Sequence, residues 1–395
     1  MKLLHISPSY YPAFKFGGPI QSVHLLNKEL VKKGIRVDVL TTNAGQDSDY
    51  KITRLKDYKI DDEGFYIIDG VRVKYLSFVG YEHYNFSLKI VKEIWKIIDN
   101  YDMVHITAVW NFPVLAGALI SLIKKKPYII SPRGAIYKET IELKSTSFKK
   151  LYFNLFAKHY LNRASGIHFT TEDEKHKVIE HLKLKAPSFV VPNGIDLKEI
   201  ENGDQRLERK IRDNYILILG RIDKKKGFDL LIPAFSIIAK KRTELYLVIA
   251  GDQSTPYTQS VNRSIKELGL SERVIFTGEV TGDDKWALYK NALMFVLPSY
   301  SENFGMSAVE AMACSCPVVI SDKVGIYKAV AENNAGIIVK TTVKSVEEGI
   351  MKLFNDDKLR ETISINGKAM VEKYYDIDKI AEQMIEEYRL VISRK

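Results

Sequence analysis

"YILILGRIDKKKGFDLLIPAFSIIAKKRTELYLVIAG", residues 215–251, opens on a buried strand, passes through a helical stretch and closes on a second buried strand. YILILG and LYLVIAG are short and uniformly apolar, the pattern of strands covered on both faces rather than one. Such strands belong to parallel sheets, whose crossovers are helices. The alternation continues through VIFTG (274–278), MFVLP (294–298), PVVI (317–320) and GIIV (336–339). It recurs in the first half, with apolar runs at 2–6, 35–41, 103–107, 128–131, 167–170 and 188–191 and helix-like segments at 20–33 and 148–163. The expected fold class is α/β, with two doubly wound parallel-sheet domains over residues 1–195 and 196–375. The polar stretch 201–210 is the expected linker, and residues 374–395 carry the apolar spacing of a terminal amphipathic helix.

Composition bounds the reading. With 395 residues, 46% hydrophobic and 27% charged, the chain has the balance of a globular protein long enough for two cores. Its N-terminus reads as a first strand rather than a signal peptide, and the longest apolar stretch, 114–123, is too short to span a bilayer, so the expected location is cytoplasmic. Cys314 and Cys316 are too close for an ordinary disulfide and have no His or Cys companions for zinc. Residues 1–200 hold 30 Lys and Arg against 21 Asp and Glu, a surplus of nine out of the chain's ten. A basic first half favours anionic surfaces or ligands.

Ligands of doubly wound sheets bind beyond the carboxyl ends of the strands. The residues at those ends are Arg221, Asp252, Gly278 and the loop 299–305 in the second half, and KFGGP (15–19), His105 to Trp110 and SPRG (131–134) in the first. Neither G-x-G-x-x-G after a strand nor G-x-x-x-x-G-K-[ST] is present, so dinucleotide enzymes and P-loop NTPases lack their fingerprints here. No carboxylate cluster points to a bound metal, and no cofactor is expected. Glu310 sits in the helical stretch GMSAVEAMA (305–313) among Ala308, Val309, Ala311 and Met312. A carboxylate in such a setting needs hydrogen-bond donors, which a ligand or a nearby Lys must supply.

SENFGMSAVE (301–310) resembles the E-x7-E element of retaining glycosyltransferases, and GRIDKKKGFDLL (220–231) resembles the phosphate loop of the glycogen-synthase-like group with the GT-B fold, often called family 4. VPNGID (191–196), SPRG and AMACSCPVV (311–319) match further blocks of that group, in order and nearly end to end. The resemblance implies two Rossmann-like domains facing across a cleft, acceptor bound mainly by the first and nucleotide sugar by the second, with the terminal helix 376–395 crossing back onto the first. It implies that Glu310 accepts hydrogen bonds from the ribose diol and that Glu302 contacts the transferred sugar. Asn303 lies in the same loop. The amides of Phe304, Gly305 and Met306 open a helix whose positive end suits a diphosphate. Arg221 and Lys226 would neutralise charge on the leaving phosphate, Lys226 being chosen over Lys224 and Lys225 because it precedes Gly227.

Within the first half, Gly17 and Gly18 are expected to close over phosphates or acceptor, in a Lys15-x-Gly-Gly loop similar to that of bacterial glycogen synthases. His105 and Trp110 resemble a family pattern H-x-H-G-x-W, with Thr107 in place of its second His, and His105 is taken as a sugar-hydroxyl contact or a structural histidine. Arg133 is placed to meet phosphate or an anionic acceptor, and Asn193 belongs to the VPNGID block. The helix at 147–164 interleaves Phe148, Tyr152, Phe153, Phe156 and Tyr160 with Lys149, Lys150, Lys158 and Arg163, which suits either an anionic membrane interface or a core helix with a basic edge. No nucleic-acid motif accompanies the charge.

The resemblance therefore implies a retaining, metal-independent glycosyltransferase. It would move a sugar from a nucleoside diphosphate sugar, UDP-sugar before GDP-mannose, to a hydroxyl of a lipid-linked or cell-surface glycan. A glycogen- or sucrose-type synthase, a phosphorylase or epimerase of the same architecture, and a non-catalytic nucleotide-sugar-binding protein remain open at this stage.

Overall fold

The computed structural model describes residues 1–46, 55–142, 146–202 and 214–394. It divides into two compact units, Met1–Gly194 with Ile377–Lys395, and Ile195–Asp376. Most of the expected linker, residues 203–210, lies outside the described residues.

In the first unit the strands are β1 (Lys2–Ile6), β2 (Arg36–Thr42), β3 (Tyr66–Ile68), β4 (Val71–Leu76), β5 (Met103–Thr107), β6 (Tyr128–Ser131), β7 (Gly166–Phe169) and β8 (Ser188–Val190). Their order in the sheet is β3-β4-β2-β1-β5-β6-β7-β8. All neighbours pair parallel except β3 and β4, an antiparallel edge hairpin absent from the sequence reading. Its turn is Asp69-Gly70, both with positive φ, the backbone that a two-residue hairpin requires. Alternate residues of the parallel strands feed two cores. One face packs on helices Leu88–Ile97, Phe112–Ile123 and the segment Thr146–Asn162. The other packs on Gly18–Lys32 and the terminal helix Ile377–Ser393. The segment expected as one helix is interrupted, with Phe153–Ala157 wound as a π-helix between two α-helical pieces.

In the second unit β9 (Tyr215–Leu219), β10 (Tyr246–Ala250), β11 (Val274–Gly278), β12 (Met294–Leu297), β13 (Val318–Ser321) and β14 (Ile337–Val339) form an all-parallel sheet in the order β11-β10-β9-β12-β13-β14. Buried residues on both faces bear out the prediction of doubly covered strands. Helix Asp357–Tyr374 ends before the terminal helix begins at Ile377. At that break the Tyr375 carbonyl accepts the Ile195 N–H at 2.8 Å, which ties the two ends of the second unit together.

Candidate functional site

The carboxyl end of β9 runs through Gly220 into Arg221 and a short 3-10 turn, Lys224–Lys226. Asp223 accepts the Lys225 N–H at 2.9 Å and so shapes that turn. Gly227 then starts the helix Phe228–Ala239 with φ +76°, and a Cβ there would lie 2.3 Å from the Pro298 carbonyl oxygen. Only glycine fits, because the loop is pressed against the end of β12. Arg221 is exposed. Hydrogen bonds from Ser254 hold the Asp252 carboxyl below its ordinary range, and the charge of Arg221 adds to the effect.

After β12 the chain turns through Glu302 to the helix Met306–Ala313, entered by Gly305 at φ +102°. A Cβ at Gly305 would meet Val324 Cγ1 at 2.6 Å, so glycine is again required. Glu302 is pinned through its backbone: its N–H donates to the Lys323 carbonyl at 3.0 Å and its carbonyl accepts from Gly325 at 2.9 Å. The fixed loop delivers the Glu302 carboxylate to Lys226 Nζ at 2.5 Å. Phe304 is buried edge-on against Tyr375, leaving its backbone and that of Gly305 and Met306 at the helix start. Asn303 and Met306 are partly buried in the same loop.

Glu310, one turn further along, is nearly enclosed, and its donors come from the chain itself. Lys285 Nζ donates at 3.1 Å and the Tyr289 hydroxyl at 3.0 Å. Burial, then the adjacent Glu310 carboxylate, push the Tyr289 hydroxyl well above its ordinary pKa, so it acts as a donor. A carboxylate has about four acceptor positions, so two donors leave capacity for two more. Lys285 and Tyr289 were absent from the sequence reading; Lys285-Trp286-Ala287-Leu288-Tyr289 looks like an ordinary helix, and nothing local marks its two polar side chains as a pair.

Among the first unit's expected residues, Gly17 and Gly18 lie at the turn after β1: Gly17 has φ +83° and Gly18 begins the helix Gly18–Lys32 with open space where a Cβ would stand. A cleft lined by Ser7, Ser9, Phe16, Ile20, Thr107 and Ala108 lies beside that turn, where β1 and β5 end. This is the place where strand order reverses. Arg133 donates to Asn193 Oδ1 and, at 3.3 Å, to Ser22 Oγ. Burial pulls its guanidinium down to about 10, partly countered by Glu174.

His105 requires a correction. It is fully buried, and its nitrogens are engaged by Tyr388 OH at 2.7 Å and Ser131 Oγ at 2.6 Å. It stacks on His5 at 4.5 Å, and Ser131 passes the network on to His168. β1, β5 and β7 each point one histidine toward the same helical face, where strand alternation places every second residue. His105 therefore belongs to the core and leaves the set of substrate contacts. Trp110 is likewise occupied, donating from Nε1 to the Ala135 carbonyl at 2.7 Å.

The sequence model of glycosyl transferases group 1 matches residues 199–370, and that of glycosyltransferase family 4 matches residues 16–199. The capsular polysaccharide biosynthesis glycosyltransferase CapM of Staphylococcus aureus is 30% identical over 68% of this chain and 72% of its own length. The chain belongs to glycosyltransferase family 4. Solved structures agree on the GT-B fold of this glycosyltransferase. Sucrose-phosphate synthase of Thermosynechococcus elongatus superposes with a TM-score of 0.76 at 19% identity, covering 100% of both chains. Anabaena HepE in complex with UDP superposes with a TM-score of 0.74 at 20% identity, covering 98% of this chain and 99% of that one. Among the described residues of the glycosyltransferase, no group of His, Cys, Asp and Glu could hold a metal ion, and no helix is long and apolar enough to cross a membrane.

Proposed function

We propose that this glycosyltransferase moves a sugar from a nucleoside diphosphate sugar, a UDP-sugar before GDP-mannose, to a hydroxyl of a lipid-linked or cell-surface glycan, with retention of configuration and without a metal ion. The observation that carries the reading is the meeting of Lys226 and Glu302 beside the glycine-opened start of the helix Met306–Ala313. That corner offers cations and backbone donors for a diphosphate and a carboxylate for sugar hydroxyls. Arg221 and Lys226 take up negative charge as the bond between the anomeric carbon and the phosphate oxygen breaks, its electron pair leaving with the phosphate. The acceptor oxygen bonds to the anomeric carbon on the same face, and its proton passes to the departing phosphate. Glu310 holds the ribose diol, exchanging or sharing its bonds from Lys285 and Tyr289. Asn303 borders the sugar. In the first unit, Gly17, Gly18, Arg133 and Asn193 serve the acceptor and its anionic groups.

The role of CapM in capsular polysaccharide supports a glycan acceptor, and the UDP complex of HepE supports a uridine donor. The test is a melting-temperature screen against UDP, GDP, ADP and CDP sugars, followed by NMR of the product anomer. A ligand that binds only the folded state raises its melting temperature. Stabilisation by UDP-sugars and an anomer matching the donor are expected. No shift with any nucleoside diphosphate, or an inverted product, overturns the proposal.

A further inference from the structure

We infer that the helical layer formed by Leu88–Ile97, Phe112–Ile123 and Thr146–Asn162 is a docking surface for an anionic lipid bilayer. The three elements cover one face of the first unit's sheet, and their outward sides carry large apolar side chains among the charged ones. Trp95, Leu119, Ile123, Leu151, Leu155 and Phe156 are between 39% and 64% exposed. The helices of the opposite face, Gly18–Lys32 and Ile377–Ser393, expose a single large apolar side chain, Leu390, among the described residues. Exposed apolar residues scattered singly, such as Phe14 and Ile60 of the same unit, need no explanation, but six gathered on one helical layer mark an interaction surface.

Charge selects the occupant. Residues 88–100, 112–126 and 146–163 hold ten Lys and Arg against two acids, Glu93 and Asp99. Both acids are spent, on Lys74 and Lys124, each at 2.7 Å. Lys124 Nζ stands 4.6 Å from the Trp95 ring centroid, placing an aromatic body and a cationic tip side by side. Aromatic and aliphatic side chains bordered by Lys and Arg fit the boundary between acyl chains and anionic headgroups. A second copy of the same face would bring ten cations onto ten cations. A polyphosphate backbone would leave Leu119, Ile123, Leu151 and Leu155 in water, since it has no apolar phase to take them. Chain segments 20 to 60 residues apart build this surface together, so the 147–164 helix is one strip of a broader face. The inference goes beyond the transfer reaction and does not depend on it.

The test is sedimentation of the full chain with phosphatidylcholine vesicles, with and without about 30% phosphatidylglycerol, at low and high salt. Binding to the anionic vesicles is expected, at least about tenfold stronger than to neutral ones and weakened by salt. Two sets of substitutions at positions already exposed to water are expected to lower that partitioning by about tenfold or more with unchanged melting: Trp95→Ser, Ile123→Ser and Leu155→Ser together, and Lys92→Gln, Lys96→Gln, Lys150→Gln and Lys158→Gln together. Failure of the wild-type chain to bind anionic vesicles, or binding by both variant sets as strong as that of the wild type, overturns the proposal. So does a dimer, seen by ultracentrifugation without lipid, that the apolar variant dissolves, because the face then belongs to a second copy.

Discussion

Lys226 Nζ lies 2.5 Å from Glu302 Oε2, although 76 positions separate the two residues in the chain. Each arrives on a loop that only glycine could build, Gly227 against Pro298 and Gly305 against Val324. The pair is partly exposed, so its own contribution to stability is small, about 1 kcal/mol or less. In the proposed reaction it holds a cation at the place where charge develops. Lys226→Ala and Arg221→Ala are each expected to lower turnover at saturating donor by about a hundredfold or more while shifting the melting temperature little. EDTA is expected to leave wild-type turnover unchanged. Loss of activity in EDTA with recovery in Mg²⁺ refutes the metal-independent part.

Glu310→Gln keeps the shape of the side chain but removes the charge that Lys285 and Tyr289 address. Nucleotide affinity is expected to fall by about 1–3 kcal/mol, measured by titration calorimetry, with a folded protein by circular dichroism. Tyr289→Phe should spare most of that affinity, because Lys285 still orients the carboxylate. Equal affinity in wild type and Glu310→Gln removes Glu310 from the nucleotide site.

The Gly227 position can be probed without touching a charge. Gly227→Ala places a methyl 2.3 Å from a carbonyl oxygen at φ +76°, so the loop must move or the helix Phe228–Ala239 must shift. Stability is expected to drop by about 2 kcal/mol or more in urea titration. Gly18→Ala, with open space around its Cβ, should cost less than about 1 kcal/mol. A Gly227→Ala protein as stable as wild type contradicts this packing.

The histidine network makes stability depend on pH. Burial lowers His5 to about 4 and His168 to about 3, and holds His105 well below its ordinary value. All three titrate near 6.5 in the unfolded chain, which therefore takes up protons first as pH falls. Their contribution is fully present above about pH 6.5 and is lost as pH drops toward the folded values, by up to about 1.4 kcal/mol per pH unit for each histidine. Urea midpoints between pH 7.5 and 5 should decrease accordingly, and His168→Asn should flatten the slope. Tyr388→Phe, which removes the hydroxyl at His105 Nδ1, should cost about 1–3 kcal/mol at neutral pH. A pH-independent midpoint over that range contradicts neutral, buried histidines.

The doubly covered parallel strands and the loops at their carboxyl ends could be read directly from the residues. Uniformly apolar runs report burial on both faces, and Lys226-Gly227 or Asn303-Phe304-Gly305 are local patterns whose backbone demands are carried by the residues themselves. The antiparallel hairpin at Asp69-Gly70 was also written there, in a turn dipeptide that the parallel pattern overshadowed.

What the sequence determined by itself was the burial period of each element and the conformations its glycines permit, because both depend on neighbours within a few positions. The tertiary structure decided which side chains meet. It gave Glu310 its donors Lys285 and Tyr289, closed His105 between Ser131 and Tyr388, 26 and 283 positions away, and gathered three separate helices into one basic and apolar face. Those pairings arise when sheets and helices pack, and periodicity along one element carries no record of the element that will lie across from it.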